Sequence, residues 1–267
     1  MHELAFVFAG FAVGLIVGLT GVGGGSLMTP ILIFFFGIKP HMAVGTDLLF
    51  AAFTKMGGTV SLARQRLVPW KVVGQLCAGS IPAALLALWA LKVLGPASGT
   101  AQAIMTTTLG FALLLTAAAT LYKVVAFSAQ RQAAEAAARK SHTGDPTRPR
   151  HWSLPVLLGA VIGTLVTFTS VGAGAIGVTV LLLVYPMLPL PRIIGADIAY
   201  AVPLTLVAGL GHASLGSVDW PLLAQLLAGS LPGIWLGSRL VARTPERLIR
   251  SALSILLAWA GFKLILI

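Results

Sequence analysis

Ten apolar segments follow one another along this chain of 267 residues, with only short polar breaks between them. They span residues 4–20, 26–38, 41–63, 71–94 and 101–125, and then 153–169, 175–188, 191–215, 220–240 and 248–267. Hydrophobic residues make up 57% of the chain and charged residues only 9%, whereas a soluble domain carries about 25% charged residues. The sequence therefore predicts an all-α integral membrane protein and excludes a water-soluble globule.

The lengths of the segments indicate how they meet the bilayer. A helix needs about 20 residues to cross the hydrocarbon core, and the last three segments of each set of five reach that length. Segments 4–20 and 26–38 would together form one helix of about 50 Å, which is far too long. We expect them to form a short hairpin or two short spans, hinged at residues 20–25.

The two sets of five segments repeat each other. Residues 70–82 (WKVVGQLCAGSIP) match residues 220–232 (WPLLAQLLAGSLP) at seven of thirteen positions. Residues 14–25 (GLIVGLTGVGGG) match residues 163–174 (GTLVTFTSVGAG) at six of twelve. Because the blocks occur in the same order, the sequence predicts two structural halves, 1–125 and 153–267.

Basic residues indicate the orientation of the halves. Fourteen of the eighteen Lys and Arg residues fall in loops that would share one side of the membrane, and loops rich in Lys and Arg face the cytoplasm. Equivalent segments then run in opposite directions, which makes the repeat inverted and places both termini in the periplasm. The segment 126–152 is expected to be a cytoplasmic basic loop, with a short surface helix in its Ala-rich part.

This organisation excludes several classes of function. Inverted repeats with interrupted helices are an architecture of secondary transporters, whose substrate binds near the midplane. The chain has no GxxxxGK[ST] motif, which argues against ATP hydrolysis. Its net charge of +11 is explained by membrane loops, and nothing remains for a nucleic-acid-binding module. We expect no cofactor, no metal site and no enzymatic activity, because Cys77 is the single cysteine and His212 has no partner at ligand spacing.

The two Gly-rich hinges are the first candidate site. Glycine lets backbone amides approach a ligand closely, and helices that begin after the hinges would point positive ends at the interior. Hydroxyl groups beside the hinges add donors. The candidate substrate-binding residues are Thr20, Gly23, Gly24, Gly25, Ser26, Thr169, Ser170, Gly172 and Gly174. The alternative is that these glycines only permit tight helix packing.

Three ionisable residues lie inside predicted spanning segments: Asp47, Lys55 and Asp197. Such groups usually face a cavity or each other, and they often mark ion pathways. A rise of 1.5 Å per residue puts Lys55 and Asp197 at the same depth, about 9 Å from the inner surface. We therefore predict a charge pair between them, the alternative being that Lys55 extends to the headgroups. The two acids either cap the broken backbone or carry protons.

Two glutamines, Gln75 and Gln225, occupy equivalent positions in the two halves. Each is followed five residues later by a serine. The amides are expected to bind either the hinge carbonyl groups or an oxyanion of the substrate.

Four stretches of the chain resemble a known family. They are TGVGGGSLMTPIL, HMAVGTDLLFAAFTK, AVPLTLVAGLGHASLGSVDW and LLAGSLPGIWLGSRL, and they are similar to the TauE/SafE sulfite exporter family. The resemblance covers nearly the whole chain apart from the central basic loop. It implies a multi-pass transporter of the bacterial inner membrane for small sulfur-containing anions, such as sulfite, sulfoacetate or other organosulfonates.

Architecture and resemblance together predict a secondary transporter that exports such an anion by alternating access at the paired hinges. Uptake of a related organic anion, coupled to protons or sodium, is one alternative, and an anion channel is another. The expected partners are the anion and the lipid bilayer, with no nucleic acid, and a homo-oligomer stays open.

Overall fold

The computed structural model describes residues 2–20, 25–140, 153–172, 174–185, 187–240 and 246–266. Ten helices lie within these ranges. They are α1 (His2–Thr20), α2 (Gly25–Phe36), α3 (Pro40–Arg64), α4 (Trp70–Leu94), α5 (Gly99–Lys140), α6 (Leu154–Thr169), α7 (Ala175–Val184), α8 (Leu190–Ser214), α9 (Trp220–Leu240) and α10 (Glu246–Ile265). The all-helical architecture expected from the sequence is thus confirmed for the described part of the chain.

Local signals set several of the helix boundaries. Proline stands at the first or second position of α3, α6 and α8, where its missing N–H costs no hydrogen bond. Glycines with a positive φ follow α2 and α4, at Gly37 (64°) and Gly95 (77°). Helices α2 and α7 have 12 and 10 residues, so they span only about 18 and 15 Å. Neither is long enough to cross the hydrocarbon core alone.

Helix α5 is longer than the sequence segment suggested. It continues without interruption to Lys140, so the Ala-rich stretch extends α5 and is not a separate surface helix. The reason is local, because residues 111–140 contain no glycine or proline and many good helix formers. Residues 141–152, the remainder of the predicted central loop, lie outside the described residues.

The main helix pairs each join a helix before residue 141 with one after residue 152. Helix α1 packs against α9, α4 against α6, α5 against α10, and α3 against α8. Two buried apolar clusters fill the spaces between these helices, one centred on α4 and α8 and the other on α2, α3, α5, α9 and α10. Helices α3 and α8 therefore lie together in the interior, where they hold the charged residues.

Glycines bring two of these pairs into backbone contact. A Cβ atom on Gly10 of α1 would lie 2.4 Å from the carbonyl oxygen of Leu226 on α9. A Cβ atom on Gly163 of α6 would lie equally close to the carbonyl oxygen of Ser80 on α4. Small residues at such crossings are typical of helix packing in membranes, where van der Waals contact drives association.

The outer surface of the bundle is apolar. Side chains such as Phe35 (74% exposed), Leu183 (76%) and Ile255 (72%) point away from the protein, as they do in contact with lipid. By length and composition, three helical stretches among the described residues can cross a membrane: Trp70–Leu94, Gly99–Leu121 and Leu190–Ser214.

Candidate functional site

The break between α6 and α7 forms one side of the candidate site. Ser170 adopts a left-handed conformation with φ 58° and ψ 2°, which is uncommon for a residue with a side chain. Gly172 and Gly174 have φ values of 132° and 131°, a region that L side chains rarely adopt. The chain turns here so that α7 begins at Ala175, directly after the break. The amides of its first turn give this end a partial positive charge.

Thr169 holds the break in shape. Its hydroxyl donates to the carbonyl oxygen of Leu165 at 2.6 Å and lies 3.0 Å from that of Val171. The same oxygen accepts from the amide of Val171 at 3.1 Å. These bonds join its hydroxyl to the backbone of the break, and a role of Thr169 in binding the substrate stays a prediction.

Asp47 connects elements from both parts of the chain. Its carboxylate is fully buried on α3, and its Oδ2 accepts a hydrogen bond from the hydroxyl of Thr29 on α2. The hydroxyl of Ser170, in the break after α6, faces the same carboxylate. Asp47 Oδ1 and Ser170 Oγ make no hydrogen bond within the described part of the chain. These two oxygens face each other, so a rotation of the hydroxyl or a proton on the carboxylate can join them.

Asp197 lies against the first turn of α7. The side chain is 2% exposed, and its Oδ1 occupies the space where a Cβ atom of Gly177 would stand, 1.9 Å from that position. Glycine at this point lets the carboxylate reach the helix backbone. Each of the two acids thus contacts one of the short helices, Asp47 at α2 and Asp197 at α7.

Lys55 lies near both acids. It is 7% exposed on α3, and its ammonium group lies within electrostatic range of both carboxylates, with the stronger interaction to Asp197. A cation buried in an apolar bundle needs an anionic partner. An arrangement in which two carboxylates neighbour one ammonium group can exchange a carboxylate for an incoming anion. The structure thus brings Asp47, Lys55 and Asp197 into one neighbourhood.

The two glutamines lie on α4 and α9. Gln75 accepts a hydrogen bond from the hydroxyl of Tyr185 at 2.6 Å. Tyr185 directly follows the last residue of α7, about 15 Å from the break at a rise of 1.5 Å per residue. This bond uses the amide oxygen, so the predicted bonds of Gln75, which would come from its NH2 group, stay a prediction. Gln225 is half-buried on α9.

The first hinge can be placed only by its ends. Gly23 and Gly24 lie outside the described residues. Thr20 is the last residue of α1, and Gly25 and Ser26 are the first two residues of α2. Since Thr29 of α2 reaches Asp47, this hinge ends close to the acids.

His212 is a packed histidine, as expected. It is fully buried on α8, and its Nε2 lies 3.0 Å from the carbonyl oxygen of Thr167. Among the described residues, no group of three or more His, Cys, Asp and Glu side chains could hold a metal ion.

Two residues of the site, Thr29 and Gly177, were not selected from the sequence. Thr29 is one of few polar residues in the otherwise apolar α2, which was a usable signal for a buried hydrogen bond. Gly177 is one glycine among thirty, and its role depends on the approach of Asp197 from another helix. No pattern within α7 could have indicated it.

Comparisons with known proteins agree along the whole chain. The family model described as "Sulfite exporter TauE/SafE" matches residues 6–264. The probable membrane transporter protein YjnA of Bacillus subtilis is 35% identical, over 98% of this chain and 100% of the relative. YdhB of the same organism, also called a probable membrane transporter protein, is 26% identical over 96% and 97%. A probable membrane transporter protein of Xylella fastidiosa is 25% identical over 88% of this chain and 83% of the relative. No solved structure matches.

Proposed function

Because the chain belongs to the TauE/SafE sulfite exporter family and is a multi-pass membrane transporter, we propose that it exports a small sulfur-containing anion. Sulfite or an organosulfonate such as sulfoacetate is the substrate class. The anion crosses the bacterial inner membrane by alternating access, without a nucleotide and without an enzymatic step.

One observation carries this proposal: the buried Lys55 lies within electrostatic range of two buried carboxylates, each of which contacts one of the short helices. A sulfite or sulfonate group brings the negative charge that Lys55 requires, and it competes with Asp197 for the ammonium group. The first turn of α7 contacts Asp197, and the Ser170 hydroxyl faces Asp47. Residues of both hinges, including Gly172, Gly174 and the predicted Gly23 to Gly25, line the path of the anion in this scheme.

The packing of the helices supports an inverted repeat. Gly10 faces the carbonyl group of Leu226, and Gly159 faces that of Leu76. Gly159 is the repeat equivalent of Gly10, 149 residues later, and Leu76 is the equivalent of Leu226, 150 residues earlier. The second contact is therefore the first with the two halves exchanged. The same exchange relates two further sets of contacts, Gly14 to Ser230 with Gly163 to Ser80, and Gly45 to Ser217 with Gly195 to Leu67. Any two-fold axis that relates the halves would produce this reciprocity. The equivalent helices α3 and α8 also run antiparallel, because Gly45 faces His212 whereas Gly209 faces Leu49, and this favours an axis in the membrane plane.

Charge supports the direction of transport. Fourteen of eighteen basic residues fall on the side that we assign to the cytoplasm, which leaves both termini in the periplasm. A membrane potential of 100 mV, negative inside, favours the export of one negative charge by about 2.3 kcal/mol. Export therefore needs no coupling ion, although Asp47 offers a site for a proton in exchange.

The test is transport by purified protein in liposomes of known orientation. Isotopically labelled sulfite or sulfoacetate is placed on the side equivalent to the cytoplasm, and a potential is imposed that is negative on that side. We expect saturable flux that falls at least about ten-fold in Lys55→Gln. The matched control is Lys39→Gln, because Lys39 is exposed at the start of the same helix.

Three results would contradict the proposal. Flux that rises linearly with anion concentration would indicate a channel. Transport of carboxylates but of no sulfur oxyanion would remove the substrate class. Equal losses in the Lys55 and Lys39 variants would show that the buried cation has no special part in binding.

A further inference from the structure

An apolar groove opens on the outer surface between α1, α2 and α10. Its volume is about 470 Å³, within the range of sites that hold small molecules. The lining side chains are all apolar, and they include Ala5, Ala9, Ala12, Phe34, Phe35 and Trp259. Because no polar group lines the groove, a ligand that fills it must be a hydrocarbon.

The groove exists because one wall of the bundle carries small side chains. Ala5, Ala9 and Ala12 lie on one face of α1 at helical spacing. The rings of Phe34 on α2 and Trp259 on α10, whose centroids are 5.7 Å apart, contact each other and also line the groove. Small residues and a pair of aromatic rings thus line a groove that is open to the bilayer.

A cation stands at the edge of this groove. The ammonium group of Lys263 lies 5.1 Å from the ring centroid of Phe34 and 5.2 Å from that of Trp259. Lys263 is exposed and lies one helical turn beyond Trp259, close to the end of α10. A lysine near a helix end places its charge at the level of the lipid headgroups.

We propose that the groove binds one acyl chain of an anionic phospholipid, and that Lys263 pairs with the headgroup phosphate of that lipid. The acyl chain of such a lipid matches the apolar groove, and its negative headgroup matches Lys263 beside the groove. An ordinary lipid-facing surface would bind the acyl chain but would offer no cation for the headgroup.

The first half of the chain has no cation at the position that corresponds to Lys263. Gly110 of α5 and Gly261 of α10 contact each other where these helices cross. Lys263 follows Gly261 by two residues, whereas the residue two positions after Gly110 is the buried Ala112. The opposite helix therefore presents no cation at the corresponding place, and we expect a single lipid of this kind for each chain.

The test measures lipid retention on the full-length protein by native mass spectrometry, with phosphatidylglycerol and phosphatidylethanolamine as the probes. Lys263→Gln should lower the affinity for phosphatidylglycerol about five-fold, the expected contribution of one basic residue at an anionic lipid surface. The affinity for phosphatidylethanolamine should fall less, because the ammonium group of that headgroup already neutralises its phosphate. Ala12→Phe fills the groove and should weaken both lipids. The control is Arg239→Gln, because Arg239 lies 3.7 Å above the ring of Trp235 on α9, away from the groove.

The results distinguish an anionic lipid in the groove from a second copy of this chain. Equal phosphatidylglycerol affinity in the Lys263 and Arg239 variants would overturn the proposal. A dimer that Ala12→Phe converts to a monomer, with unchanged lipid binding, would overturn it in favour of a second copy of this chain in the groove. If Ala12→Phe does not fold, the comparison of the two surface variants still decides, because both side chains are exposed.

Discussion

Replacing Gly177 with alanine puts a methyl group where the Asp197 carboxylate now lies. The new Cβ atom would stand 1.9 Å from Asp197 Oδ1, whereas real Cβ contacts are essentially never shorter than 3.0 Å. The carboxylate must therefore move by at least about 1.1 Å. It is the end of a flexible side chain, so the backbones of α7 and α8 can stay in place.

The expected change in stability is small. Rotation of Asp197 away from its preferred rotamer costs about 0.5–1.5 kcal/mol, and alanine stabilises a helix by about 1 kcal/mol relative to glycine. The two terms cancel to within about 1 kcal/mol, so the variant should fold. Transport should suffer much more, because Asp197 leaves its position beside α7 and Lys55. A misplacement of about 1 Å costs enzymes on the order of 100-fold, and we expect a loss of at least about ten-fold here.

The assay combines thermal unfolding in detergent with anion flux in liposomes. The control is Gly74→Ala on α4, since a Cβ atom there meets nothing within 4 Å. In a background of Asp197→Ala, which removes the colliding oxygen, Gly177→Ala should cause no further loss. Flux in Gly177→Ala equal to that in Gly74→Ala would refute the role of the carboxylate position.

Three further predictions follow from contacts and charge. Thr29→Val removes the donor to Asp47 and should lower the free energy of unfolding by about 1.5–3 kcal/mol, whereas Thr29→Ser should not; equal unfolding temperatures would show that the bond contributes nothing. Gly163→Leu should abolish the monodisperse peak in size-exclusion chromatography, because it separates α4 from α6, and Gly74→Leu should preserve it. A folded Gly163→Leu protein would mean that this crossing is loosely packed. A fluorescent protein that is inactive in the periplasm should stay dark when fused to the C-terminus, and a bright fusion would place that end in the cytoplasm.

Sequence patterns were sufficient where the determinants were local. The segments predicted to begin at residues 41 and 191 agree with the starts of α3 and α8 to within one residue, where a proline in the first turn is tolerated. The charged residues Asp47, Lys55 and Asp197 were selected because a charge in an apolar segment is rare in itself. Neither inference required knowledge of neighbouring helices.

Side-chain partners could not be predicted in this way. Gln75 and Tyr185 are 110 residues apart, and nothing in either segment specifies the other. Thr169 has a hydroxyl that could donate to a ligand, but at the end of α6 this hydroxyl donates to the carbonyl oxygen of Leu165. Such choices depend on the crossing of helices, which a single sequence does not contain.

The pairing of α1 with α9 has a consequence for biosynthesis. About 200 residues separate the end of α1 from the start of α9, and at 5–20 residues per second the ribosome needs about 10–40 s to add them. During that time α1 has entered the membrane without the helix against which its glycine face packs. The same delay, on a shorter scale, applies to α4 and α6. Assembly of the bundle must therefore wait for synthesis of the second half, and a chain that ends before α9 leaves α1 as a target for membrane quality-control proteases.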